Sequence, residues 1–167
     1  MSGRKFNVLF LCTGNSARSI MAEALLGRLG AGNFNAYSAG SMPKGRVHPM
    51  AIRLLKEFDY EINYFRSKSW DKYSGPDAPH FDFIFTVCDR AASETCPLWP
   101  GHPLTAHWGI PDPDREYVNK EEEYQGFLDT YNVLGKRIEK LISLPIEELD
   151  KSSLKKHLDE IGKSNLN

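Results

Sequence analysis

Three cysteines, one arginine and one aspartate carry the chemistry this sequence can do. Cys12 stands in NVLFLCTGNSARS (7–19), where an apolar run delivers a thiol into a loop of small residues, with Arg18 six positions on. Successive backbone N–H groups in such a loop, here Thr13, Gly14, Asn15, Ser16, Ala17, Arg18 and Ser19, can converge on an anion. A helix opening at the end of the loop adds unpaired donors and partial positive charge. The Arg18 fork matches two oxygens of a tetrahedral oxyanion. The same donors are expected to lower the Cys12 pKa and hold it as the thiolate that attacks. Gly14 suits a backbone that must approach the anion closely. The competing reading is an ordinary strand-to-helix turn around a buried cysteine, the commonest fate of a free thiol. A bare Cys-x5-Arg spacing arises easily by chance, so it is the whole strand-loop-helix unit that favours a site.

A thiolate that attacks an oxyanion needs an acid to protonate the departing oxygen. Asp112 is the candidate: in HWGIPDPD (107–114) it is pinned between Pro111 and Pro113 just past a predicted strand. Asp114 and Asp89 compete for the same role. Cys88 ends FDFIFTVC (81–88), and Cys96 follows in CDRAASETCP (88–97). Were 89–95 a regular helix, the two Cα atoms would lie about 12 Å apart, whereas a disulfide wants roughly 4.4 to 6.8 Å. Pairing therefore requires that segment to loop or unwind. A static bridge is disfavoured; a switching dithiol and a core Cys88 with an incidental Cys96 both stay open.

The elements that must position these groups read as alternating strands and helices. Val8 to Leu11 is a continuous apolar run, as in a strand covered on both faces. From Arg18 onward Met21, Ala24, Leu25 and Leu29 recur at helical spacing until Gly30 and Gly32. Asn35 to Ser38 is a second strand. Pro49 opens a helix with Ala51, Leu54, Leu55 and Phe58 on one face. Phe81 to Val87 and Leu104 to His107 are the later strands, and Tyr124 to Leu141 a long amphipathic helix. Such alternation predicts an α/β fold, a parallel sheet with helices on both faces. Sites in open sheets of this kind lie beyond the carboxyl ends of the strands, where Cys12 and Cys88 both fall. Residues 67–79, rich in Ser, Asp, Gly and Pro, read as a surface loop.

At 167 residues the chain is expected to form one domain, 1–145, large enough to bury a core without disulfide staples. A charged tail follows over 146–167, helical in part through Ile146, Leu149, Leu154, Leu158 and Ile161. The balance of 21 basic against 22 acidic residues offers no field for nucleic acid or a membrane surface. No apolar run is long enough for a bilayer span or a signal-peptide core. A cytoplasmic chain is expected, whose thiols stay reduced and matter through reactivity. The five histidines (48, 80, 102, 107, 157) show no metal-ligand spacing with the cysteines, so no metal site is expected. His107 and Trp108 read as loop support beside Asp112.

NVLFLCTGNSARSIMAEALL resembles the phosphate-binding loop of the low-molecular-weight tyrosine phosphatase superfamily. With YSAG (37–40), VCDRAASETCP (87–97) and AHWGIPDP (106–113), the chain looks like the arsenate reductase branch over about Asn7 to Leu144. The resemblance implies a four-stranded parallel sheet in a flavodoxin-like three-layer sandwich. It implies that Cys12 attacks arsenate held by loop amides and Arg18 (phosphate and sulfate being mimics), and that Asp112 protonates the leaving hydroxide. Cys88 would then attack Cys12, and Cys96 would attack Cys88, carrying the disulfide out to an external thiol donor. Thioredoxin is favoured as that donor, with glutaredoxin or glutathione as the others, and no bound cofactor is implied. A phosphatase that uses Cys12, Arg18 and Asp112 alone is the alternative; a non-catalytic oxyanion or arsenite sensor is the third reading. Ala17 stands where many relatives carry a second loop cysteine. Some members also bind potassium through Asn, Glu, Ser and an acidic side chain. Asn15, Glu23 and Ser38 match the first three, but Lys68 aligns with the fourth, so its ammonium is expected in the ion's place.

Overall fold

The computed structural model describes residues 4–88, 99 and 102–163. A parallel sheet of β1 (Phe6–Leu11), β2 (Phe34–Ala39), β3 (Phe83–Thr86) and β4 (Leu104–His107) has the order β2-β1-β3-β4. Among the described residues four α-helices accompany it: α1 (Arg18–Leu29), α2 (Pro49–Glu57), α3 (Lys120–Ile142) and α4 (Lys151–Lys163). None of these is long and apolar enough to cross a membrane.

The apolar run Val8-Leu9-Phe10-Leu11 is buried throughout, because the central strand is covered on both faces. Val8 and Phe10 join Phe83 and Phe85 in one cluster with residues of all four helices. Leu9, Leu11 and Ile84 face the other way, against Tyr73 and Phe81, with Trp70 and Trp99 at the margin. On that second face the described cover is the 3-10 turn Trp70–Tyr73, within the stretch expected to be loop.

Helix limits follow local chemistry. Helix α3 begins at Lys120, ahead of the first periodic residue Tyr124, because Asn119 caps it by accepting from the Glu122 N–H at 2.9 Å. Glu121, Glu122 and Glu123 then occupy its positive end. Pro49 opens α2, and the His48 ring caps it through Nδ1. In the 146–167 stretch, α4 buries Leu154, Leu158 and Ile161 in the main core cluster and packs on β4 and α3.

The strand order places a topological switch between β1 and β3: the chain leaves β1 for one side of the sheet and returns for β3 on the other. That is where ligand crevices form beyond the strand ends. Leu11 and Thr86 are register partners, so Cys12 and Cys88 emerge side by side at this point.

Candidate active site

Backbone bonds behind the loop shape its front. The carbonyls of Thr13, Gly14 and Ser16 each accept, at 2.9 Å, from the backbone N–H of Met42, Lys44 and His48. A planar trans peptide points its N–H opposite to its C=O. The following amides, of Gly14, Asn15 and Ala17, are therefore turned away from the 42–48 strap, and the Gly14 N–H reaches the Cys12 sulfur. Ala17 is the N-cap of α1, without a side-chain cap and with no acidic residue in the first turn. A Ser or Asp there would occupy the N–H groups an oxyanion needs.

The loop's left-handed residue is Asn15, at φ 44°, whereas Gly14 is ordinary in φ and instead accommodates the Lys44 chain packed against it. Asn15 and Ser19 are fully buried, with Asn15 Nδ2 donating to Ser19 Oγ at 2.8 Å and Asn15 Oδ1 accepting from the Lys68 N–H at 2.8 Å. Their side chains thus brace the loop from behind. Thr13, Gly14, Ser16, Ala17 and Arg18 line the cavity in front. Gly40 closes the base: a Cβ there would strike the carbonyls of Cys12 and Thr13.

Cys88 joins Cys12 at this cavity. It is 4% exposed and its sulfur accepts from the Thr13 N–H at 3.4 Å. The expectation of a lowered Cys12 pKa is not met in this arrangement. A hydrogen bond from the Cys12 S–H to the Cys88 sulfur raises it most, burial raises it further, and the Arg18 charge and Gly14 N–H pull only partly back. Cys96 and Asp89 lie outside the described residues, as does the conformation of 89–95.

Arg18 and Asp112 come together, with Arg18 Nη2 3.3 Å from Asp112 Oδ2 and Nη1 donating to the Ile110 carbonyl at 2.9 Å. Asp112 Oδ1 accepts from the Asp114 N–H at 2.9 Å, which fixes the carboxylate's aim. Asp114 pairs with Lys44 at 2.9 Å and His48 at 3.4 Å. The Lys44 hydrogen bond holds its carboxyl below the usual range.

The acid loop has anchors that the sequence did not announce. Arg137 of α3, 6% exposed, donates from Nη1 to the carbonyls of Trp108 at 2.8 Å and Gly109 at 3.1 Å. The signal for it is a charge within the buried stripe Phe127, Thr130, Leu134, Ile138 and Leu141. Trp108, expected to support the loop, is fully buried and stacked on Phe85 with centroids 3.9 Å apart.

Beneath the loop, the Lys68 ammonium donates to Ser38 Oγ at 3.2 Å and the Arg66 carbonyl at 2.7 Å, and lies 3.7 Å from Glu23 Oε1. Ser38 in turn donates to Glu23 Oε1 at 2.6 Å. Burial raises Glu23 and lowers Lys68, outweighing the mutual pairing for both partners. An ammonium thus sits among Glu23 and Ser38, with its own backbone on Asn15.

The resulting cavity, about 840 Å³, is lined by Cys12, Arg18, Cys88 and Asp112, and also by Asp159, Gly162 and Lys163 from α4. It brings a thiol, a guanidinium and a carboxyl group around a space wide enough for a tetrahedral oxyanion. A second thiol, Cys88, stands beside Cys12.

A model of the low molecular weight phosphotyrosine protein phosphatase family matches residues 7–157. An arsenate reductase of Bacillus licheniformis is 35% identical over 137 residues, covering 81% of this chain and 94% of that protein. One from Oceanobacillus iheyensis is 36% identical over 131 residues, covering 78% and 91%. A solved arsenate reductase in a phosphate-binding state superposes with a TM-score of 0.67 at 28% identity, covering 83% of this chain and 97% of its own.

Proposed function

This chain belongs to the low molecular weight phosphotyrosine protein phosphatase family, and from that premise we propose that it reduces arsenate to arsenite through its cysteine thiols. The observation that carries this reading is Cys88, held against the Cys12 loop by the Thr13 N–H at 3.4 Å. Phosphomonoester hydrolysis has no use for a second thiol there. The arsenate reductases similar to this chain support the same reading.

The bound arsenate is held by the loop N–H groups and Arg18. Cys12 Sγ attacks arsenic, and one arsenate hydroxyl leaves as water on taking a proton from Asp112. The proton that Cys12 loses on attack replaces it. Cys88 then attacks Cys12 Sγ, its thiol proton passing to an oxygen of the departing arsenite. The S–As bond breaks with its electron pair left on arsenic, so As(V) becomes As(III) and arsenite departs, leaving a Cys12–Cys88 disulfide. Cys96 attacks Cys88 Sγ, releases the Cys12 thiolate and forms a Cys88–Cys96 disulfide. An external thiol donor, thioredoxin before glutaredoxin or glutathione, removes it by exchange, its own thiols ending as a disulfide. A reducing cytoplasm is the compartment that keeps such a relay charged.

The test is arsenate-dependent oxidation of a thioredoxin or glutaredoxin system by the parent, Cys12→Ser, Cys88→Ser and Cys96→Ser. Loss of multiple turnover in all three, with slow p-nitrophenyl phosphate hydrolysis kept in the last two, is expected. Full arsenate turnover in Cys88→Ser would sink the relay, and hydrolysis without any arsenate reduction would leave the phosphatase.

A further inference from the structure

The B. licheniformis relative uses 94% of its own length to match 137 of the 167 residues here. The family model stops at residue 157, partway along α4. Yet α4 reaches the reaction cavity, where Asp159, Gly162 and Lys163 share the lining with Cys12, Arg18 and Asp112.

Three contacts join this helix to the strand that leads into the acid loop. The Trp108 indole Nε1 donates to the Leu158 carbonyl at 3.0 Å. Trp108 is fully buried, and a buried indole N–H requires such a partner. Gly162 packs directly on the His107 carbonyl and Trp108, where a Cβ would lie 2.7 Å from Trp108 Cδ1. Lys155, paired with Asp159 at 2.9 Å, donates to the Thr105 carbonyl of the edge strand β4. Trp108 stands four residues before Asp112; between them Arg137 and Arg18 hold the loop's carbonyls, and the Ile110 N–H donates to the Val87 carbonyl at 3.2 Å.

We propose that α4 is a positioning element for the acid: through the Leu158 carbonyl and the close seat of Gly162 it sets Trp108, and through Trp108 the aim of Asp112. This rests on Asp112 being the acid of the proposed reaction. A cavity wall that clamps the root of a two-proline loop restricts where its carboxylate can stand. Displacements of about 1 Å at such a group cost up to about a hundredfold in rate.

The experiment compares the parent with Trp108→Phe, which keeps an aromatic ring but not the indole donor, and Gly162→Ala, which forces the helix outward. Each is measured in the native and Asp112→Asn backgrounds, with Tm followed throughout. Expected is a loss of about tenfold in kcat for arsenate with KM changed less than about twofold, and no further loss once Asp112 is Asn. The same fold-loss in both backgrounds, or an unchanged kcat in Gly162→Ala, overturns the inference. A parent that does not reduce arsenate overturns the functional reading instead. The helix is then judged by the same cycle on p-nitrophenyl phosphate hydrolysis, which needs only Cys12, Arg18 and Asp112. A parent inactive in both assays overturns both.

Discussion

Arg18 and Asp112 form a 3.3 Å ion pair across the cavity, while the same guanidinium holds the Ile110 carbonyl at 2.9 Å. The guanidinium at the cavity is therefore also a tether of the loop that carries Asp112. The carboxylate and an incoming anion compete for one fork, so the site's affinity and its proton transfer are coupled.

Asp112→Asn separates the two. Turnover is expected to fall by about 10² to 10⁴, the usual worth of a positioned acid. Phosphate binding, measured by titration calorimetry, tightens, because Arg18 loses its anionic competitor and the anion loses a like-charged neighbour. Weaker phosphate binding would show that the pair prepares Arg18 rather than competing for it.

Cys88→Ala should lower the Cys12 pKa. The Cys88 hydrogen bond is the largest cause of the raised thiol, and burial the next. The pH profile of Cys12 alkylation by iodoacetamide, followed by mass mapping, moves to lower pH in the variant. An unmoved profile would assign the protonated thiol to burial alone.

The loop's outer brace titrates in the opposite sense. Asp114 is held below its ordinary value of 3.8, chiefly by the Lys44 hydrogen bond. A depressed carboxyl stabilises the fold fully above its unfolded pKa and loses that contribution as pH falls through the folded value. Thermal melts of the parent should therefore lose stability as pH drops below 3.8, and Asp114→Asn should flatten that part of the curve. The variant's Tm at neutral pH falls, since Lys44 and His48 lose their carboxylate.

What the sequence revealed and what it hid divide along the kind of contact. The unbroken apolar run at 8–11 announced a doubly covered strand, and the two strand ends placed Cys12 and Cys88 together. Backbone contacts left no such mark. The N–H donors of Met42, Lys44 and His48 that turn the loop carry no side-chain signal. Gly40 matters only because two carbonyls pass beneath it. Arg137 hid among the many charges of α3, although its place in the apolar stripe marked it as buried. The lowered Cys12 pKa failed because local donors were weighed without the second thiol that folding brings alongside.

Lys68 gives the sharpest ionic prediction. Its ammonium lies 3.2 Å from Ser38 Oγ and 3.7 Å from Glu23 Oε1, beneath the loop that its backbone braces through Asn15. The chain itself thus supplies a cation to this buried carboxylate. Exchanging sodium for potassium at equal ionic strength should change neither Tm nor arsenate turnover. Lys68→Ala leaves the buried Glu23 without its cationic partner, with Ser38 as its remaining donor, and Tm falls. The vacated ammonium position then sits among the Glu23 carboxylate, the Ser38 hydroxyl and the Arg66 carbonyl, all oxygen donors suited to a hard cation. Potassium should recover part of the variant's Tm where sodium recovers less. A marked stimulation of the parent by potassium would show that the ammonium does not stand in for the ion.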